Sequence, residues 1–417
     1  MSPPGLDSVT VELDAAELGG RRTVGTLRRT SSTAGSIIGF AYADEWLALA
    51  DRFALDPVHG LFAGEQWPRG GSIDSIFSDA APDRWGRTLM DRQEAVRARQ
   101  EGRSRRRLDE WDYLLGVSDV ARMGALRFVT ADGTYLATTA GVPPLTRLRA
   151  LVAAAQAIER PGRGDAAEAR DLAILVAPGS SLGGARPKAS FHDEHGALWM
   201  AKFPSRADAR DMGACEWVLN ELAVAAGLAV PEHRLLELGR GHRTFAARRF
   251  DRVVDTRRLY ASAMSMTSHR DREAASYLDI ALAIADHAAP GTVDVLLAEL
   301  FRRVAFNILV AHRDDHLRNH GFLRTAAGWQ LAPMFDLNPM PDMREHELAI
   351  DDAIHVGDPD VLIETAAFYR LTRDAAARAV NEVRAALQDW RAVAASISLG
   401  RLEMATLEDA LGTTGSA

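Results

Sequence analysis

Lysine and cysteine are nearly absent from this chain. Of 49 basic residues only Lys188 and Lys202 are lysine, and Cys215 is the one thiol. A single cysteine excludes an internal disulfide framework and fits a reducing compartment. Its place in a stretch of helical periodicity suits a packing residue better than a nucleophile. Aromatics are few, at 7%, and alanine is abundant, which leans towards helix. No uncharged run approaches the roughly 18 residues a membrane span requires, and residues 1–14 lack the basic start and apolar core of a signal peptide. No membrane association is expected, and a cytoplasmic location is. A net charge of -8 argues against a chain that grips nucleic acid by itself, since that takes a basic face.

With 417 residues the chain is long enough for two or three compact units. Apolar and polar residues alternate over 9–29 around Gly19-Gly20, the pattern of a β-hairpin, and 36–42 reads as a further strand. Residues 77–93 read as a loop entering a helix with Pro82-Asp83 at its first turn. The basic run 97–107 reads as a solvated or mobile connector in preference to a contact surface for an acidic partner or phosphates. A helix is expected at 108–115, strands at 123–128 and 134–137, a helix at 143–160 and a linker at 160–166. Beyond it come a strand at 197–203, a helix at 212–226 and paired strands at 235–238 and 244–250. From 276 onward the pattern is mostly helical, at 277–288, 293–311, 366–390 and 403–411, with strand candidates at 321–323 and 329–334.

The helical half is interrupted by AHRDDHLRNHGF at 311–322, answered by APMFDLNP at 332–339. In the His-Arg-Asp, four residues, Asn pattern of phosphoryl-transfer loops, Asp314 is the carboxylate that accepts the proton of an attacking hydroxyl. Asn319, about a turn on, and Asp336, on a separate segment, are the oxygen ligands for a magnesium ion bridging ATP phosphates. Two bland readings compete. His312, Asp314, Asp315 and His316 are also ligand types of a metal hydrolase, and such a loop can be a solvated turn.

Upstream, GSSLGGARPKAS at 179–190 combines small residues, which let backbone N–H groups approach phosphate oxygens, with the charge of Lys188. It matches neither familiar phosphate-loop signature, and a flexible turn is an equal reading. Lys202 lies on the strand ALWMAKF, placed like the lysine that contacts α- and β-phosphates. Glu216 on the next helix is the candidate that orients it, with Glu221 and a plain surface role as alternatives. Where arginine serves every generic cationic role, a retained lysine suggests a site that wants a compact ammonium.

Together these motifs resemble the HipA-like serine/threonine kinases, toxins of bacterial type II toxin–antitoxin modules. The resemblance rests on SSLGGARPKAS, MAKF, ARRFDR at 247–252, HRDDHLRN and MFDLNP, and on FAYADEWL, FSDAAPDRWGR and DYLLGVSDVARMGALRF nearer the amino terminus. It implies an α+β, kinase-like two-lobed fold, with a mixed lobe, a mostly helical lobe and an amino-terminal β-rich subdomain. The expected division is 1–125, 126–255 and 256–417. ATP would meet Gly183, Gly184, Ala185, Arg186, Lys188 and Lys202, a hinge at Arg248, Arg249 and Phe250, and His316, Arg318 and Asn319. Ser181, with Ser180 adjacent, matches a serine that the kinase phosphorylates on itself. A helix-turn-helix antitoxin of the HipB type is the implied partner, with DNA contacted only through it, and an aminoacyl-tRNA synthetase is an implied acceptor. Many family members carry a small residue where this chain has Asp315, which reads as a charge beside the base or as a holder of metal or solvent. A catalytically silent co-repressor and a small-molecule phosphotransferase are the competing functions.

Overall fold

The computed structural model describes residues 5–32, 35–138, 141–160, 165–176, 184–239, 241–253 and 256–412. The chain forms two compact units, one of Met1–Arg206 with Asp251–Ala261, the other of Ala207–Phe250 with Ser262–Ala417. Residues of the expected 126–255 segment therefore occur in both. The content is mixed helix and strand, the α+β class expected.

The first unit opens on an antiparallel sheet ordered Gly35–Tyr42, Gly20–Ser32, Ser8–Ala15, Leu126–Val129. Along Ser8–Ala15 every second residue (Val9, Val11, Leu13, Ala15) is buried, because alternate side chains of a strand face opposite ways. The expected hairpin turns at Gly19 and Gly20, with φ of +90° and +79°, a region that L side chains rarely adopt. Gly25 serves a different need, since a Cβ there would sit 2.2 Å from the Ala41 carbonyl oxygen on the paired strand. The expected strand at 134–137 is reduced to one bridge, Val129 to Tyr135. The intervening turn closes through Thr130 N to Thr134 O at 2.9 Å, and Ala137 is left-handed at φ +55°, which ends the extension.

The basic run is fastened rather than free. Arg103 donates to the buried Glu94 at 2.6 Å, Arg106 to buried Asp112 at 2.7 Å, and Arg97 and Arg103 both to Glu101. The Arg103 hydrogen bond holds the Glu94 carboxyl down to about 2. Residues 251–253 and 256–257 are tied into this unit through similar clasps. Asp251 accepts Gly124 N at 2.8 Å, Arg252 donates to the Arg122 carbonyl at 2.7 Å, and Arg257 reaches Asp119 at 3.0 Å. Arg122 is itself buried and gives its guanidinium to the carbonyls of Ala80, Leu114 and Val117. Residues 161–164 of the expected linker lie outside the described residues, and a helix not expected from the sequence, Asp165–Leu175, packs on Leu148–Ile158.

Strands Lys188–His192 and Leu198–Lys202 pair antiparallel with Lys188 directly opposite Lys202, so the two lysines of the chain are cross-strand neighbours. Like charges so placed repel. Lys188 is buried, and its ammonium donates to Asp83 at 2.7 Å and to the Gly184 carbonyl at 3.0 Å. The same Asp83 caps the Arg84–Gln100 helix through Gly86 N at 2.7 Å, and Trp85 donates its indole N–H to the Lys188 carbonyl at 3.1 Å.

In the second unit the Met212–Ala225 helix packs on the hairpin His233–Leu236 and Thr244–Arg248. Gly213 is required at that junction, because a Cβ would lie 2.5 Å from the Arg243 carbonyl oxygen. The Val293–Leu309 helix is central to the helical part and packs against Tyr277–His287, Pro359–Glu364 and Arg373–Ala386. One helix expected over 366–390 is instead three pieces, a 3-10 turn Ala366–Tyr369, helix Arg373–Ala386 and helix Trp390–Ser396. Arg370 at φ +56° breaks the first junction, and Thr372 caps the new start through Ala375 N. The described residues contain no helix long and apolar enough to cross a membrane.

Replacing Asp83 by Ala leaves the Lys188 ammonium buried without its carboxylate and removes a helix cap. The expected loss is about 3–5 kcal/mol, read as a lower denaturation midpoint in urea, with Asp83→Asn losing less because an N-cap oxygen remains.

Candidate active site

The loop at 311–322 begins where the Val293–Leu309 helix is stopped by Ala311, left-handed at φ +50°. His312 N returns to the Asn307 carbonyl at 2.9 Å, so the loop leaves the helix along a fixed path. The buried His312 ring places Nδ1 3.0 Å from the Asn338 carbonyl oxygen, and burial lowers its pKa. Arg313 donates to the carbonyls of Met340 and Pro341 at 3.1 Å each and to that of Met343. Met340 N closes back on the Ala311 carbonyl at 2.8 Å. These bonds join the loop to the 336–343 segment, the second half of the motif.

Between these anchors Asp314 keeps 46% of its side chain exposed, with His316 Nε2 3.9 Å from its carboxylate. Asn319 gives its amide N–H to the Asp314 carbonyl at 2.6 Å, so the candidate base and the candidate metal ligand belong to one turn. Asp336 is left-handed at φ +61° and accepts the Asn338 amide on both its carbonyl and Oδ1 at 3.3 Å. Phe335 before it lies against Phe250, the rings tilted by 31° with centroids 5.4 Å apart.

Asp315 answers a question the sequence left open. It is fully buried and accepts the Tyr277 hydroxyl, His346 Nδ1 at 2.7 Å, Glu347 N at 2.9 Å and Leu348 N at 3.5 Å. Tyr277 is held in turn by the Asn307 amide at 2.9 Å. Burial acts to raise the Asp315 pKa, but the His346 hydrogen bond and charge and the Tyr277 donor outweigh it and hold the carboxyl below its ordinary value. Asp315 is thus an internal anchor, its carboxylate occupied by these donors. Nearby His320 is buried, and desolvation takes its pKa down to about 3. Tyr277, Asn307 and His346 were not singled out from sequence, and nothing local marks them, since they lie 38, 8 and 31 residues from Asp315.

The donor set suits magnesium. An amide oxygen and a carboxylate are hard ligands of the kind that hold this ion together with substrate phosphates. With the Asn319 nitrogen committed to the Asp314 carbonyl, the oxygen is the end of that amide left for a cation. No group of three or more His, Cys, Asp or Glu able to hold a metal occurs among the described residues.

The other candidates are distributed over both units. In the first, Gly184 and Ala185 are exposed, Arg186 donates to the Phe203 carbonyl at 3.3 Å, and Lys202 is buried opposite Lys188. Lys188 sits on a strand with its ammonium held by Asp83 and by the Gly184 carbonyl of the preceding loop. Ser180, Ser181 and Gly183 lie outside the described residues. In the second, Glu216 is buried on its helix, whereas Glu221 lies 2.9 Å from His233 Nε2. Arg248 is exposed beside Glu232, Arg249 is buried, and Arg318 pairs with Asp271 at 2.8 Å.

A family model, the HipA-like C-terminal domain, matches residues 180–391. No curated protein matches the sequence. Among solved structures, the chain is similar to one in the Shewanella oneidensis MR-1 toxin–antitoxin complex of HipA, HipB and operator DNA. The identity is 16%, the coverage 97% of this chain and 96% of that one, and the TM-score 0.68. It is also similar to the Helicobacter pylori proinflammatory kinase CtkA, at 18% identity over 56% of this chain and 89% of that one, with a TM-score of 0.44. The first likeness shows a shared fold over nearly the whole chain, and the family match spans more than half of the sequence. The chain belongs to the family of the HipA-like C-terminal domain.

Proposed function

We propose that this protein is an ATP- and magnesium-dependent serine/threonine protein kinase, the growth-inhibiting toxin of a toxin–antitoxin pair. The observation that carries the proposal is the anchored loop. Asp314 is half-buried on a turn tied to the segment of Asp336 by His312 and Arg313, and its own carbonyl holds the amide of Asn319. That arrangement suits transfer of a phosphoryl group to a hydroxyl, where catalysis is mostly positioning and electrostatics. Asp314 takes the proton as the hydroxyl oxygen bonds to the γ-phosphorus, and the bond to the ADP oxygen breaks. Bound magnesium would supply neutralising charge on the phosphates, held by Asn319 and Asp336. Lys202 would serve the α- and β-phosphates, and Arg248, Arg249 and Phe250 would form the hinge on the adenine side.

A cytoplasmic protein working with a HipB-like helix-turn-helix antitoxin accords with the similar Shewanella complex, which contains HipA, HipB and operator DNA. The antitoxin would bring the DNA affinity that a net charge of -8 denies this chain. The first acceptor to test is an aminoacyl-tRNA synthetase, whose loss slows translation. Ser181 is the proposed autophosphorylation site. A phosphate adds nearly two negative charges where ATP phosphates dock, which opposes binding.

Asp314→Asn is expected to lower phosphoryl transfer by about 10²–10⁴-fold while ATP still binds, measured by radiolabel transfer beside calorimetry. Comparable turnover in mutant and parent removes Asp314 from its role. Asp336→Ala is expected to abolish productive Mg-ATP binding in a calorimetric titration; unchanged affinity and activity make the residue structural. Incubation with Mg-ATP followed by mass spectrometry is expected to find phosphate on Ser181, with Ser181→Ala resisting the loss of activity with time. Phosphate on neither Ser180 nor Ser181 removes the switch.

A further inference from the structure

The Asp315 carboxylate receives donors from two sources that are distant in sequence. Tyr277 stands at the start of the Tyr277–His287 helix, fixed there by the Ser276 and Asp279 capping box. The remaining donors, His346 Nδ1 and the amides of Glu347 and Leu348, come from one short segment. That segment is closed on itself. His346 N donates to the His355 carbonyl at 2.8 Å and Ile350 N to the Ile354 carbonyl at 2.7 Å. His355 Nδ1 lies 3.0 Å from the His346 carbonyl, and Asp351 accepts the amides of Ala353 and Ile354 across the turn. Its inner end is pinned to the Tyr277 helix by Ala349 N to Ala275 O and Tyr277 N to Ala349 O, both 3.0 Å.

The His346 ring has no freedom to turn. Its side chain is wholly buried, and a Cβ on Gly357 would lie 2.6 Å from Nε2. Because the carboxylate accepts, Nδ1 must carry the hydrogen. Nε2 has no hydrogen-bond partner, so the bond to Asp315 is the polar commitment of this ring. One peptide link separates Asp315 from Asp314, and the carbonyl in that link is the acceptor for Asn319. Glu347 N also donates to the Arg313 carbonyl at 3.1 Å. The turn at 346–355 therefore grips the chain on both sides of Asp314.

We propose that His346 is a positioning residue for phosphoryl transfer, acting through Asp315 to hold the backbone at Asp314 and Asn319. The proposal rests on the kinase reading of Asp314. A side chain that fixes a reacting group acts on turnover, and a displacement near 1 Å costs about 10²-fold. The amide nitrogen of Asn reaches the position of Nδ1, whereas that of Gln reaches the position of Nε2. This separates positioning from packing.

The test compares His346→Leu, His346→Asn and His346→Gln with the parent in steady-state phosphoryl transfer, with hydrogen exchange of the peptide 312–319 followed in each folded protein. Leu and Gln are expected to lower kcat about 10²-fold with a much smaller change in KM for Mg-ATP, and to speed exchange over 312–319. Asn is expected to recover most of both. Tyr277→Phe, which keeps the ring and deletes one donor to Asp315, is expected to lower kcat less, and it replaces Leu if that variant does not fold. Parental kcat and exchange in Leu or in Tyr277→Phe overturn the proposal, as does rescue by Gln equal to that by Asn. A parent that transfers no phosphate overturns the kinase reading instead, and the exchange pattern then still decides whether His346 holds the loop.

Discussion

Taking a carboxylate out of water costs several kcal/mol unless donors replace the water it loses. At Asp315 that constraint draws distant parts of the second unit together. The residue is fully buried, and the hydroxyl, imidazole and two amides it accepts come from Tyr277 and from 346–348. Once those groups converge, the chain on either side of Asp315 has little freedom. Asp314 then reaches solvent on a backbone that is fastened from within. Neighbouring carboxylates thus differ in setting, the outer one partly open to solvent and the inner one spent on holding the loop.

The first unit applies the same electrostatics with the sign reversed. Lys188 is a buried ammonium placed across from a second ammonium, an arrangement that repels unless something intervenes. Asp83 intervenes, and because it also caps the Arg84–Gln100 helix, the helix start and the strand pair are fixed by one side chain. The cluster of Asp119, Arg122, Asp251, Arg252 and Arg257 extends this practice and brings 251–253 and 256–257 back onto the first unit.

What could be read from sequence follows the range of the interactions. The 9–29 hairpin, the strand at 36–42 and the helix at 212–226 depend on periodicity within a few residues, and all formed as expected. The His-Arg-Asp and Asp336 motifs could be singled out by their spacing, and the structure ties their two segments together through His312 and Arg313. The break at Arg370 was not, because a left-handed arginine leaves no local signature in an alanine-rich helical pattern. Asp315 stayed open for a related reason. Its neighbours in sequence allowed a charge beside the base or a holder of metal or solvent, whereas its environment is set by Tyr277 and His346. The run 97–107 was legible as a solvated stretch, since residues 99–107 are exposed, but not its fastening, since the partners of Arg103 and Arg106 are the buried Glu94 and Asp112.

The replacement of lysine by arginine has a result that concerns neither folding nor nucleotide. Acylation by reactive metabolites and isopeptide tagging for degradation both need a nucleophilic, accessible side-chain amine. The two that this chain possesses are buried opposite one another on the Lys188–His192 and Leu198–Lys202 strands. In its folded state the protein therefore offers such chemistry no exposed surface lysine.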